Sequence, residues 1–351
     1  MPSRSLFSMR SSSCRPAPAR RLLSFVLTAL AATALAPLAQ PAAAQAAVNG
    51  WPARSVSLVV PYGAGGGTDQ IARVLAARLA ETIGQPVVVE NVAGAGGVVG
   101  TQRVMNAQPD GYTLLLGSGS ELELTRITDP QANRSNWAPL SPVALVGTQP
   151  MILVARASLG IRDADALVAA LKAKPGSLTW ASAGIGTQLH VAGELVKSRA
   201  GIDMLHVPYK GAPQIVNDLV GGSVDLAMMV VPSVRPMLNE GKLVGLGVTD
   251  TRRSDAVPNV PAFEESRTIK GVDMKLWYGV FAPPGMPAAL TGAIDAAIGK
   301  AMADPALRSR LTELAVTVAD DSSAGALDRL KTSQLERIRT VFESLPQPAK
   351  P

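Results

Sequence analysis

Four short segments carry the residue types from which a site for a small anion can be built. The first reads VVPYGAGGGTD, Val59 to Asp69, with Gly63, Gly65, Gly66 and Gly67 ahead of Thr68 and Asp69. Glycines let the backbone turn and bring several N–H groups close to a ligand, and a helix N-terminus adds partial positive charge. A tight strand-to-helix turn capped by Thr68 or Asp69 has the same composition, so this loop alone leaves both readings open. No G-K-[ST] follows it, which speaks against a nucleoside triphosphate.

The second segment, NVAGAGGVVG from Asn91 to Gly100, superficially suggests a dinucleotide fingerprint. Its glycines are spaced G-x-G-x-x-x-G, and about twenty residues on stand Leu114, Leu115 and Leu116 where an acid belongs. The third, SAGIGTQLH, offers Ser182, Gly184, Gly186, Thr187 and His190, again between a strand and a helix. The fourth is Pro208-Tyr209-Lys210-Gly211. Neither histidine, His190 nor His206, has a partner at metal-ligand spacing. His190 reads first as a packed, hydrogen-bonded ring and second as a ligand contact, and His206 as structural. With no G-x-S-x-G elbow and no cysteine nucleophile, hydrolase chemistry lacks its parts. Binding without catalysis, with no cofactor and no metal, is the simpler expectation.

These loops need strands to launch them and helices to receive them. Strands are predicted at 57–60, 87–90, 113–116, 151–154, 178–181, 204–207, 224–230, 243–248 and 275–281. Ile71, Val74, Leu75, Leu79 and Ile83 share a helical face ending at Gly84, and further helices are predicted at 163–173, 188–200 and 322–342. Strand, glycine loop, helix, strand is the pattern of an α/β protein with a parallel sheet, which takes ligands at the carboxyl ends of strands.

The ends decide the compartment. Arg4, Arg10, Arg15, Arg20 and Arg21 precede an apolar run from Leu22 to Leu38 and the small residues Ala42-Ala43-Ala44, the layout of a secretory signal cleaved near Ala44. Arg20-Arg21 leaves the Sec and twin-arginine routes both open. The chain's formal charge is +6, and loss of these five arginines leaves about +1. Nucleic acid, which needs a clustered basic face, is not expected as a partner. Cys14, the only cysteine, precedes the apolar run and cannot serve as a lipoprotein anchor there.

Taken in order, VVPYGAGGGTD, VVVENVAGAGG, PDGYTLLLG, SAGIGTQLHVAGE, VPYKGAPQIVNDLVGG and LWYGVFAPPGMP resemble the Bug-type substrate-binding proteins of tripartite tricarboxylate transporters. The resemblance implies an α/β, type II periplasmic binding protein fold. Its two lobes each have a central β-sheet flanked by helices, with the ligand cleft between them. Lobe 1 would combine 45–150 with 250–351 and lobe 2 would span 151–249, with hinges near 145–151 and 249–255. It further implies a monomeric periplasmic receptor that holds a small organic carboxylate by backbone groups and waters and delivers it to a two-component membrane permease. Presentation of the ligand to a sensor kinase is the alternative. The expected ligand-binding residues are Tyr62, Gly65, Gly66, Gly67, Thr68, Asp69, Ser120, Glu121, Ser182, Gly184, Gly186, Thr187, His190, Tyr209, Met229 and Trp277. Departures from the family's usual pattern bear on the ligand: Val92-Ala93 stands where Arg-Pro is usual, and Met228-Met229 where an acid often follows. Glu121, or else Glu123, reads either as a solvated rim residue or as a group that pairs with a ligand ammonium or disfavours a second carboxylate, and Met228, Met229 and Trp277 read either as core or as an apolar wall of the cleft.

Overall fold

The computed structural model describes residues 50–119, 122 and 140–344, the stretch 335–344 by backbone alone. The first half of the sheet begins with β1 (Val56–Val60), whose chain enters α1 (Gly67–Ile83) and returns as β2 (Val87–Asn91). After a 3-10 turn at Ala95–Gly97, α2 (Val98–Met105) leads to β3 (Thr113–Ser118). A sixteen-residue strand, β4 (Ser141–Arg156), follows, and then α3 (Ala164–Ala173). The second half adds β5 (Thr179–Ser182), α4 (Gln188–Ala200), β6 (Leu205–Pro208), α5 (Ala212–Gly221), β7 (Leu226–Val230), α6 (Val231–Asn239) and β8 (Leu243–Val248). The chain then returns through β9 (Lys275–Ala282), α7 (Ala288–Met302), α8 (Pro305–Glu313), β10 (Thr317–Val318) and α9 (Ala324–Ser344).

The predicted strands and the four predicted helices are present, but the sheet is mixed where a parallel one was expected. Its order is β2-β1-β3-β9-β4-β7-β5-β6, with β8 and β10 also pairing β4. The outer pairs are parallel, whereas β3–β9, β9–β4, β4–β7 and β4–β8 are antiparallel. The cause is β4: its residues 141–150 pair β9, and from Met151 onward it pairs β7 and β8. A strand that serves both halves, met by a return strand from the far half, can only run antiparallel to it. The return passes Thr249, whose Oγ1 accepts from Met151 N (2.9 Å) and donates to Met274 O (2.6 Å), so both crossings are bonded at one point.

Period-two alternation assigns each strand residue to a layer. Leu58, Met228, Val230, Leu276 and Tyr278 face the core shared by α1, α3, α4 and α7. Val59, Trp277 and Phe281 face the opposite side, against Leu327 of α9, and Met229 packs there with Ile215 and Leu219 of α5. Of the residues proposed to face inward on the last helix, Leu327 is fully buried.

Close approach, more than propensity, sets the fit of α4. A methyl group on Gly193 would lie 2.1 Å from the buried Trp180 ring. Gly193→Ala is therefore expected to lower the unfolding free energy by about 1–3 kcal/mol through overpacking, although alanine is the better helix former by about 1 kcal/mol. Urea unfolding would read this as a lower midpoint at unchanged slope.

Candidate functional site

A cavity of about 60 Å³ lies where α1, α4, α5 and α6 all begin. Gly66, Gly67 and Thr68 line it from α1, Thr187 and Leu189 from α4, Gly211 and Ala212 from α5, and Val230 from the cap of α6. Tyr62, Gly63, Ser118, Ala183, Leu276 and Tyr278 complete its wall, which among the described residues includes no carboxylate, imidazole, ammonium or guanidinium. The first N–H groups of a helix have no intrahelical acceptor. In α1 the first such bond is made by Gln70, to Gly66 O, so the amides of Gly67, Thr68 and Asp69 have no acceptor within the helix. Four N-termini around one small, mostly apolar space favour negative charge there without a cationic side chain. A methyl on Gly67 would sit 2.5 Å from Val230 Cγ2, so only glycine lets α1 meet the end of β7 this closely.

The first loop is held by Asp69, which is buried and points away from a ligand role. Its Oδ2 accepts from Gly65 N (2.8 Å) and Arg73 Nε (2.9 Å), and its Oδ1 from Asn91 Nδ2 (3.0 Å). Asn91 also donates to Tyr62 O. Burial pushes the Asp69 carboxyl up, but Arg73, the Gly65 amide and Asn91 outweigh it and hold its pKa below the ordinary value. Gly65 itself is outward-facing with φ +81°, the turn that makes this bond possible.

The Ser182–Thr187 loop rests on an imidazole pair. Ser182 Oγ lies 2.8 Å from His206 Nε2, and Gly186 N donates to His190 Nδ1 at 3.4 Å. Thr187 caps α4, accepting from His190 N (3.2 Å) and donating to Gly184 O (2.8 Å). His190 stacks on Trp180 and lies 4.5 Å from the His206 ring. Ser182, Gly186 and His190 thus brace the loop behind the cavity, with Thr187 at its surface.

A second cavity, about 330 Å³, adjoins the first across Tyr62 and Ala183 and is lined by Gly94 to Gly97, Gly184, Ile185 and Pro208 to Lys210. Tyr62 Oη donates to Gly96 O at 3.4 Å along this boundary. Tyr209 lines the outer cavity, but its hydroxyl donates to Asp218 Oδ2 (2.8 Å), and burial with that carboxylate pushes the phenol up to about 12.

Of the expected residues, Tyr62, Gly66, Gly67, Thr68 and Thr187 meet at the inner cavity, and Gly184 and Tyr209 at the outer one. Met229 and Trp277 do not line either. Both are buried in core layers on the far side of the sheet, and their strand neighbours Val230, Leu276 and Tyr278 form the wall instead. A step of one residue along a strand reverses the face. Periodicity could have found this, since Leu58 and Val59 already separate the two faces. Ser120, Glu121 and Glu123 lie outside the described residues. Ser118, Leu189 and Ala212 were missed because nothing in their types marks them, and Gly211, part of the fourth loop, was not among the expected contacts. Among the described residues there is no cluster of three metal-ligating side chains, and no helix is long and apolar enough to cross a membrane.

Burial, the His190 ring and Lys197 push His206 from 6.5 down to about 3. Burial and Lys197 also lower His190 against the opposing pull of Glu194. Between pH 6.5 and about 3 the unfolded chain binds a proton at His206 that the folded chain does not. Stability present above 6.5 is therefore lost as pH falls through that window. His206→Asn is expected to flatten stability against pH just above the carboxylate range. The change should be a part of the roughly 1.4 kcal/mol per pH unit that one full proton gives, because the ring is only half-buried. Urea melts of both proteins at several pH values would measure it.

Residues 71–346 match the family described as the tripartite tricarboxylate transporter family receptor. The solved periplasmic binding protein BugD is 32% identical, with a TM-score of 0.78, covering 84% of this chain and 98% of its own. MatC from Rhodopseudomonas palustris, solved with bound malate, is 30% identical with a TM-score of 0.76 over 83% of this chain and 99% of its own. Rpa4515 of R. palustris, solved with adipate, is 27% identical with a TM-score of 0.78 over 84% of this chain and 97% of its own. With a mixed sheet shared through one long strand and helix N-termini gathered on an uncharged cavity, the chain belongs to the tripartite tricarboxylate transporter receptor family, Bug type, whose members are periplasmic solute-binding receptors and not enzymes.

Proposed function

We propose that this chain captures a small organic carboxylate in the inner cavity and delivers it to a two-component membrane permease. The observation that carries the reading is the meeting of four helix N-termini on a cavity that, among the described residues, is lined by no carboxylate, imidazole, ammonium or guanidinium. A carboxylate is the group that such amides hold without a counter-ion. Malate in MatC and adipate in Rpa4515 support the same class. The Tyr62–Asp69 and Ser182–Thr187 loops, with Tyr209 and Gly184 at the outer cavity, form the binding surface, and waters complete the contacts. Glu121, which lies outside the described residues, sets the preference for the ligand's far end. Export through a signal removed near Ala44 places the receptor in the periplasm. The halves 45–150 with 250–351, and 151–249, act as lobes that close about 145–151 and 249–255, where Thr249 binds both crossings.

Ligand-free protein, prepared by unfolding, dialysis and refolding, should be stabilised by one or more acids of a mono- and dicarboxylate panel. At one hundred times Kd the gain is about 2.7 kcal/mol, read as a rise in Tm. The matching neutral amides should give no rise. Gly67→Ala, which pushes Val230 out of the wall, should lose most of the shift. Equal shifts from acids and amides would sink the reading.

A further inference from the structure

The two cavities are unequal, and the smaller one decides what the larger must read. At about 60 Å³ the inner cavity has room for only a few water molecules, so it takes a carboxylate and little beyond the adjacent carbon. The rest of a solute must pass Tyr62 and Ala183, which belong to both linings, into the outer cavity of about 330 Å³. Three loops converge there. A methyl on Gly184 would lie 3.9 Å from Gly96 Cα and 3.7 Å from Tyr209 O, so the segment Gly94–Gly97, the Ser182–Thr187 loop and the loop at Tyr209 and Lys210 share one small space.

These walls offer positive charge and N–H groups. Among the described residues of both linings, Lys210 alone carries a formal charge, and it makes no ion pair with any described residue. The acids of the neighbouring loops are already engaged, Asp69 with Gly65, Arg73 and Asn91, and Asp218 with the Tyr209 hydroxyl. Across the cavity, Gly94 O accepts from Gly97 N and Val99 N, Ala95 O from Val98 N, and Gly96 O from Tyr62 Oη. The N–H groups of Ala95 and Gly96 have no acceptor among the described residues. An ammonium at the edge of a cavity is hydrated until a solute displaces the water, and a negative end of that solute replaces the lost hydrogen bonds better than a neutral one. We infer that Lys210 is a specificity-determining residue that holds a second carboxylate at the far end of the solute, so that the receptor selects α,ω-dicarboxylates over acids of the same length whose far end is neutral. This rests on the carboxylate reading and deepens it.

Titration calorimetry of ligand-free protein with succinate, glutarate and adipate, each against its half-amide, tests the inference. A half-amide keeps one carboxylate for the inner cavity and nearly the shape of the diacid, so the difference within a pair reports the far charge. Lys210 is exposed, and an exposed ion pair is weaker than a buried one. At low ionic strength wild type should therefore bind its preferred diacid at least about fivefold more tightly than the half-amide. The gap should shrink as added salt screens the pair. Lys210→Gln should narrow it to within about twofold, the statistical advantage of two equivalent carboxylates, by weakening the diacid more than the half-amide. Lys210→Arg should keep most of it. Damage to the wall would weaken both members alike and would not depend on salt. Equal affinities in wild type, a preference for the half-amide of the sign that Glu121 would impose, or a gap that survives Lys210→Gln overturns the inference and leaves the carboxylate reading standing. Binding of monocarboxylates with no binding of any diacid overturns it in the same way. If no carboxylate binds at all, both readings fall.

Discussion

Helices can begin at one cavity only where the strands before them are brought together, and that constraint governs the rest of the molecule. The first N–H groups of a helix are left to point outward, and several helices begin at one place only if their preceding strands end there. The mixed sheet does this by running β1 in one half and the parallel set β5, β6 and β7 in the other half in opposite directions, so that their carboxyl ends meet across the junction that β4 spans. Glycines at the turns then let main chain approach main chain, most tightly where Gly67 meets Val230.

A site made of backbone is only as rigid as what lies behind it. Each ligand-facing loop here is tied from the rear by a polar group that does not face the cavity. Asp69, bonded to Gly65, Arg73 and Asn91, sets the first loop. His206 and His190 set the second through Ser182 and Gly186. Gln149 sets Tyr278. Both imidazoles are kept neutral by burial and by Lys197, so they can accept from their neighbours without adding charge beside the ligand loop.

The crossing region joins binding to any change of shape. Gln149 and Met151 lie on β4 at the point where its pairing passes from β9 to β7, and Thr249 bonds the returning chain to the same point.

Glycine-rich loops between β-branched runs and helical faces were enough to predict an α/β fold and most element positions, because those features follow from local backbone chemistry; the receptor family was legible only in the ordered set of motifs. The loop opening with Tyr62 was predicted as an anion cradle or as a turn capped by Thr68 or Asp69; in the structure Gly66 is the N-cap, Gly66 to Thr68 face the cavity, and Asp69 staples the turn through Gly65. Other assignments needed the fold. Whether Met229 or Val230, Trp277 or Tyr278, reaches the ligand depends on which face of a strand is covered, and that is decided by helices far away in sequence. The roles of Gln149 and His206 arise from contacts with Leu314, Tyr278 and Ser182. No local pattern encodes such pairings, because a hydrogen bond across the core is specified by the packing of the whole chain and not by the residues beside it.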